Sequence, residues 1–175
     1  MRSVFRVTAL AAVAAGVLLT VPLVGSADPA RIIAKDDCES VSFNLAIGAG
    51  TCVGNGGTTF GDFIAQLVDH KFAGAWHFSP KQVNIDAGSS LVVTNRGGET
   101  HTFTQVTQFG GGGIVAGLNQ ILFGTPTPPT FFFGPLNFIP AGQTRTVSPA
   151  TLTPGTHLFI CAIHPWMHET VRVTP

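Results

Sequence analysis

The chain contains no tyrosine, two methionines, two tryptophans and three cysteines among 175 residues. Asp, Glu, Lys and Arg together make up only 10% of it, nine basic against nine acidic. So sparse and balanced a charge leaves no basic patch for a phosphate backbone, and nucleic acid is excluded as a partner. Beyond residue 27 no apolar run is long enough to cross a bilayer.

The first 27 residues read as a secretory signal. Arg2 and Arg6 form a basic start, Thr8 to Gly25 is almost wholly apolar, and Gly25-Ser26-Ala27 is a small-residue cleavage site. The rival reading is an uncleaved anchor, since the apolar run has spanning length. Cleavage leaves about 148 residues, enough for one domain with its own core. Without Arg2 and Arg6, seven basic residues face nine acidic ones. The expectation is an exported protein, periplasmic or extracellular, with no stable membrane insertion after cleavage, and monomeric.

Gly, Pro, Val, Thr and Phe dominate what remains, a composition that favours strands and turns. Three cysteines in an exported chain leave one over after pairing. Cys38 and Cys52 lie close in sequence and are the pair expected to form a disulfide, worth about 3 kcal/mol for so short a loop; the alternative is two buried thiols. Cys161 is then the remaining thiol.

Asp28 to Asp37 is polar and shows no clear period. Val41, Phe43 and Leu45 alternate with polar residues and predict a short extended piece. The one good helix signal is Thr59 to His70, with Thr59 as cap, Asp62 in the first turn, and Phe60, Phe63, Ile64 and Leu67 forming a core-facing stripe. From Trp76 the period becomes two: Trp76/Phe78, Val83/Ile85, Leu91 to Asn95 and Thr100 to Val106 are short strands separated by turns. Phe109 to Pro140 interrupts this rhythm with four glycines and a Phe-rich segment, either covering a small core or forming a docking patch. Strands resume at Gln143 to Val147, Thr156 to Cys161 and Glu169 to Val173.

The chemistry-bearing stretch is Cys161-Ala162-Ile163-His164-Pro165-Trp166-Met167, a thiol, an imidazole and a thioether in C-x-x-H-x-x-M spacing. A soft sulfur, a borderline nitrogen and a weak axial thioether suit copper; two His and one Cys near a plane with a distant Met describe a blue-copper electron-transfer site. The missing second imidazole must come from elsewhere, and His101 is the candidate. His157 lies four residues before Cys161 on one strand, roughly 13 Å away at strand rise and too far to share a metal. His168, beside Met167, is the competing donor.

In order, Asn95…His101, then Gly155-Thr-His-Leu-Phe159-Ile-Cys161, His164 and Met167 resemble a cupredoxin, with loop spacing similar to amicyanin-type and plastocyanin-like bacterial proteins. The resemblance covers about Trp76 to Thr174. It implies an all-β, cupredoxin-like Greek-key β-sandwich over residues 76–175, preceded by an N-terminal extension (28–75) carrying one short helix and the disulfide. It implies one type 1 copper held by His101, Cys161, His164 and Met167. The implied function is transfer of single electrons between protein redox partners, a donor and an acceptor, without catalysis. It further implies that the His164 ring edge lies near the surface as the electron port. Two departures stand out: Thr102 follows the first His where the family usually has Asn, and His168-Glu169 follows the Met where Gly is usual. A multicopper oxidase is excluded, because Ile160 and Ala162 flank the Cys and no His-x-His pair exists. The alternatives are a copper-binding or delivery protein, and an exported interaction module whose Phe-rich loop does the work around a structural copper.

Overall fold

Strand Leu91–Asn95 (β4) buries Leu91, Val93 and Asn95 and leaves the residues between them half-exposed, the signature of a strand with one face on a core. The computed structural model describes residues 28–175; the secretory signal expected over residues 1–27 lies outside the described residues.

Two four-stranded sheets face each other. In the first, β1 (Ala30–Lys35) lies between β2 (His77–Ser79) and β4, antiparallel to the former and parallel to the latter, and β8 (Thr144–Val147) completes the other edge. In the second, the order is β3 (Gln82–Asp86), β10 (His168–Thr174), β9 (Gly155–Ile160) and β6 (Thr104–Val106), with only β3 and β10 parallel. A small pair, β5 (His101–Thr102) with β7 (Phe138–Ile139), bridges one end. Ile32, Phe78, Leu91 and Val93 of one sheet meet Ile85, Phe159, Val171 and Val173 of the other, with Phe103 stacked on Phe159 at 4.2 Å and edge-on to Phe78 at 5.3 Å. This is a two-sheet β-sandwich, as the sequence reading expects.

Two local expectations are corrected. The polar stretch before Asp37 contains a central strand: Ile32 and Ala34 are fully buried on β1, but Arg31 and Lys35 beside them mask the alternation. Residues 28–75 thus supply a core strand of the first sheet as well as the disulfide and helices. Val41, Phe43 and Leu45 lie on a helix, α1 (Ser40–Ile47), not on an extended piece. Its start is set by Glu39, whose carboxylate accepts from the N–H groups of Val41 and Ser42 at 2.9 and 2.7 Å. Phe43 faces the core, while Val41 and Leu45, one turn apart, point outward.

Helix α2 (Phe60–His70) forms as its sequence predicts. The Thr59 hydroxyl accepts from the Asp62 N–H at 3.2 Å, and Phe63 and Leu67 are buried. Within residues 109–140 the chain forms α3 (Ala116–Phe123) and then returns through β7. No helix of the described residues is long and apolar enough to cross a membrane. Cys38 and Cys52 are disulfide-bonded, and their loop docks beside the turn before β5 through a bridge from Cys52 to Glu99.

Candidate metal site

Strand β9 delivers Cys161 to the end of the sandwich where β5 presents His101. The seven residues from Cys161 to Met167 then turn tightly back into β10: the Cys161 N–H donates to the Met167 carbonyl at 3.1 Å, and the Met167 N–H to the His164 carbonyl at 2.9 Å. That closure points two imidazoles at one sulfur. Nδ1 of His101 and Nδ1 of His164 each lie 3.7 Å from Cys161 Sγ. The donor atoms of these three residues fall within 4.8 Å of one another, and all three side chains are buried. Met167 is buried in the same core cluster as Cys161. His168 is directed elsewhere: its Nε2 lies 3.0 Å from the Pro165 carbonyl, and its ring stacks on Phe109 at 4.1 Å.

Thr102 binds the two halves of the site together. Its N–H donates to Cys161 Sγ at 3.3 Å, and its hydroxyl oxygen accepts from the Ala162 N–H at 2.6 Å. The Thr104 hydroxyl, which donates to the Leu136 carbonyl at 2.7 Å, lies 3.0 Å from that of Thr102. Thr102, where the cupredoxin resemblance implies Asn, therefore ties the His101 strand to the cysteine loop. Asn95, at the end of β4, donates to the carbonyls of Glu99 and Ile139 at 2.7 and 2.9 Å and holds the loop before His101.

Two carboxylates complete the site. Asp36 Oδ2 accepts from Nε2 of His101 at 2.9 Å and from the Glu99 N–H at 3.1 Å, while Oδ1 accepts from the Gly98 N–H at 2.9 Å. Glu99 Oε2 accepts from the Trp76 indole N–H at 2.6 Å and lies 3.5 Å from Nε2 of His164. Each imidazole thus turns Nδ1 to the sulfur and Nε2 to an acid, the arrangement that fixes tautomer and ring orientation in metal-binding histidines. Neither acid stands out in the sequence. The available signal was a pair of carboxylates hidden beside Gly97-Gly98, where added side chains would collide with Asp36, Gly54 and the Cys38 sulfur.

The electrostatics follow from this packing. Burial acts to raise the Cys161 pKa, but the hydrogen bonds and charges of His101 and His164 outweigh it and hold the thiol well below its usual range. Burial likewise disfavours a charged His101, yet Asp36 and Cys161 raise it to about 9. Asp36 is lowered despite its burial, by His101 and the loop N–H groups. Glu99 is raised by burial, which its partners only partly offset. The cluster therefore favours a thiolate between two oriented imidazoles.

The surface-exposed His164 edge implied by the family resemblance is not what the structure shows. His164 is 2% exposed. Phe63 of α2, Trp76 and Trp166 surround its ring with centroid separations of 6.3, 6.5 and 5.3 Å, and Glu99 closes its Nε2 side. The α2 stripe, read from sequence as core packing, packs onto the site itself. Residues 109–140 also reach it: the Ile114 N–H donates to the Ala162 carbonyl at 2.7 Å, and Gly113 passes so close to that oxygen that a side chain would not fit.

No family model matches the chain, and no curated protein matches it in sequence. Among solved structures it is similar to a novel purple cupredoxin from Nitrosopumilus maritimus at 18% identity and TM-score 0.40, covering 83% of this chain and 99% of that one. It is also similar to amicyanin from Paracoccus versutus at 16% identity and TM-score 0.36, covering 56% of this chain and 73% of that one. A third is the copper-containing nitrite reductase of Thermus scotoductus SA-01, at 19% identity and TM-score 0.37, covering 57% of this chain and 20% of that one.

Proposed function

We propose that this chain is an exported mononuclear type 1 copper protein that carries single electrons between protein redox partners. His101, Cys161, His164 and Met167 would hold the metal. The observation that carries this reading is the buried Cys161 sulfur with two Nδ1 atoms at 3.7 Å, each imidazole braced from behind by a carboxylate. The donor set fits copper: a soft sulfur beside two imidazoles selects it over magnesium or calcium, which want oxygen. When bound, copper supplies a one-electron couple between Cu(I) and Cu(II).

The chain's own residues do the rest. Thr102 and the Cys161–Met167 turn fix the sulfur, Asp36 and Glu99 fix the two rings, and Phe63, Trp76 and Trp166 keep water out. A donor set held this firmly changes little with charge state, which suits rapid electron exchange. Burial of all four side chains disfavours delivery of copper to an acceptor, because ligand exchange needs an accessible donor. The disulfide supports export, since such bonds persist in oxidising compartments.

The test is the visible absorption and EPR spectrum of the protein loaded with Cu(II), beside Cys161→Ser. An intense thiolate-to-copper absorption with the narrow parallel hyperfine splitting of a type 1 site, lost in the variant, is the expected result. A colourless protein with ordinary tetragonal Cu(II) signals would overturn the reading.

A further inference from the structure

With the His164 edge sealed, electrons need another way in and out. Resting on the carrier reading above, we propose that the partner face is the shallow surface over Trp166, flanked by Lys71 and Lys81, and that it receives an acidic patch on a redox-partner protein.

The geometry starts at Trp166. Its ring lies 5.3 Å from the His164 ring and 5.9 Å from Phe63, and it is half-buried where His164 is fully covered. Trp166 borders two neighbouring depressions. The larger, about 450 Å³, has Trp166 and Met167 along it and Lys71, Lys81, His77 and Phe72 around it. The smaller, about 140 Å³, lies between Trp166, Pro165, Leu122 and Phe123. Lys71 and His168 border both. Trp166, which belongs to the proposed ligand loop, therefore meets the surface here, with Met167 buried beneath it.

The surroundings choose the partner. Among the described residues lining the two depressions, two are lysines, two are histidines and none is acidic. Glu169, next after His168, is fully buried and turns the other way along β10. Lys81 and His168 both line the larger depression. Lys71 is held in place by its Nζ, which donates to the Ile121 carbonyl of α3 at 3.0 Å. Phe72 and Phe123, 51% and 40% exposed, give the cationic rim apolar contact points. In a chain whose acidic residues outnumber its basic ones after residue 27, a face with cations alone steers an anionic partner and repels a second copy of itself.

The competing exit is the apolar cavity of about 320 Å³ between α1, α2 and α3, which has His164 and Glu99 on its wall. Its polar lining is Thr51, Glu99 and the buried His164, with no lysine or arginine, so it offers an anionic partner little attraction, and Ile47, 49% exposed, guards its rim.

Two measurements on the copper-loaded protein separate these routes. The redox-inert anion hexacyanocobaltate(III) is titrated into the Cu(I) form and followed by amide and indole NMR. Shifts concentrated at Lys71, Lys81, the Trp166 indole and His168 are expected; shifts scattered over all basic residues, Arg145 and Arg172 included, would overturn the proposal. Oxidation of the Cu(I) form by anionic hexacyanoferrate(III) and by cationic tris(phenanthroline)cobalt(III) is then timed at low ionic strength. Lys71→Asn with Lys81→Glu should slow the anion about tenfold and quicken the cation, with the difference collapsing at high salt. Asn at position 71 tolerates the left-handed backbone there, φ 64°. Arg145→Glu, on the exposed edge strand β8, should change either rate far less. If Ile47→Glu slows both reagents more than the lysine pair does, the cavity is the port and the proposal falls. A protein that exchanges electrons with neither reagent overturns the carrier reading and this one with it. A protein that reacts but ignores Lys71 and Lys81 overturns the docking face alone.

Discussion

Asp36 and His101 form a buried pair in which Nε2 of the imidazole donates to Oδ2 at 2.9 Å, with side-chain exposures of 1% and 0%. The acid comes from the end of β1 and the imidazole from β5, 65 residues apart. Asp36 also gathers the Gly98 and Glu99 N–H groups, so it orients both the ring and the loop that carries it. Asp36→Ala removes these three acceptor roles and a fourth, to the Cys38 N–H at 3.2 Å. Copper affinity should fall about 10- to 100-fold, as is usual when the partner of a metal-binding histidine is lost. Competition titration against a chelator of known affinity checks this, and an unchanged affinity would show that the loop alone positions His101.

Thr102 offers a cleaner structural test. Thr102→Val keeps the shape but leaves the Ala162 N–H, now bonded at 2.6 Å, without an acceptor in a buried site. The cost should be about 1–3 kcal/mol in urea unfolding of the copper-free protein. Thr102→Ser should retain most of the stability, because the hydroxyl is what the amide needs.

Glu99 faces Nε2 of His164 at 3.5 Å while accepting from Trp76. Glu99→Gln can keep the Trp76 bond through its amide oxygen and removes the ability to carry negative charge. The more positive metal state then loses support, so the reduction potential of the copper-loaded protein should rise. Cyclic voltammetry at two pH values reads it: the rise should be larger at the higher pH, where wild-type Glu99, its pKa raised by burial, is more fully ionised.

Glu169 is buried with no hydrogen-bond partner for either carboxylate oxygen among the described residues, and burial raises its pKa to about 8. The sign follows from linkage. Between the unfolded value near 4.5 and the folded value the native state holds the extra proton, so this group favours folding at low pH and its contribution declines as pH rises through that window. His101, also raised, loses stabilisation over an overlapping range up to about 9, so the comparison must be between variants. In copper-free protein, the stability gain of Glu169→Gln over wild type should be small near pH 5 and grow towards pH 8. A gain that is flat with pH would mean that Glu169 is ionised or solvated throughout.

Much of this arrangement was legible because it is written in local patterns. The α2 boundaries follow from Thr59 and the stripe of Phe60, Phe63, Ile64 and Leu67; β4 follows from Leu91 and Val93; the disulfide follows from cysteine arithmetic. α1 was misread because Val41, Phe43 and Leu45 satisfy a period of two while the helix is decided by Glu39, a carboxylate reaching two backbone amides. β1 was missed because its two buried residues, Ile32 and Ala34, sit among charged neighbours. Both are short elements in which one capping bond or one sheet partner outweighs the weak local preference.

The order and spacing of His101, Cys161, His164 and Met167 by themselves named the candidate donor atoms, since chemistry at a metal depends on residue type and reach along the chain. The tertiary structure alone decided what stands behind and in front of those donors. Asp36 and Glu99 reach the two imidazoles only because β1 pairs with β4 and Gly97-Gly98 lets the disulfide loop press close. His164 is covered because Phe63 of α2, Trp76, Trp166 and Glu99 converge on it. Such contacts join residues far apart in the chain through burial and hydrogen bonding, and no local spacing carries them.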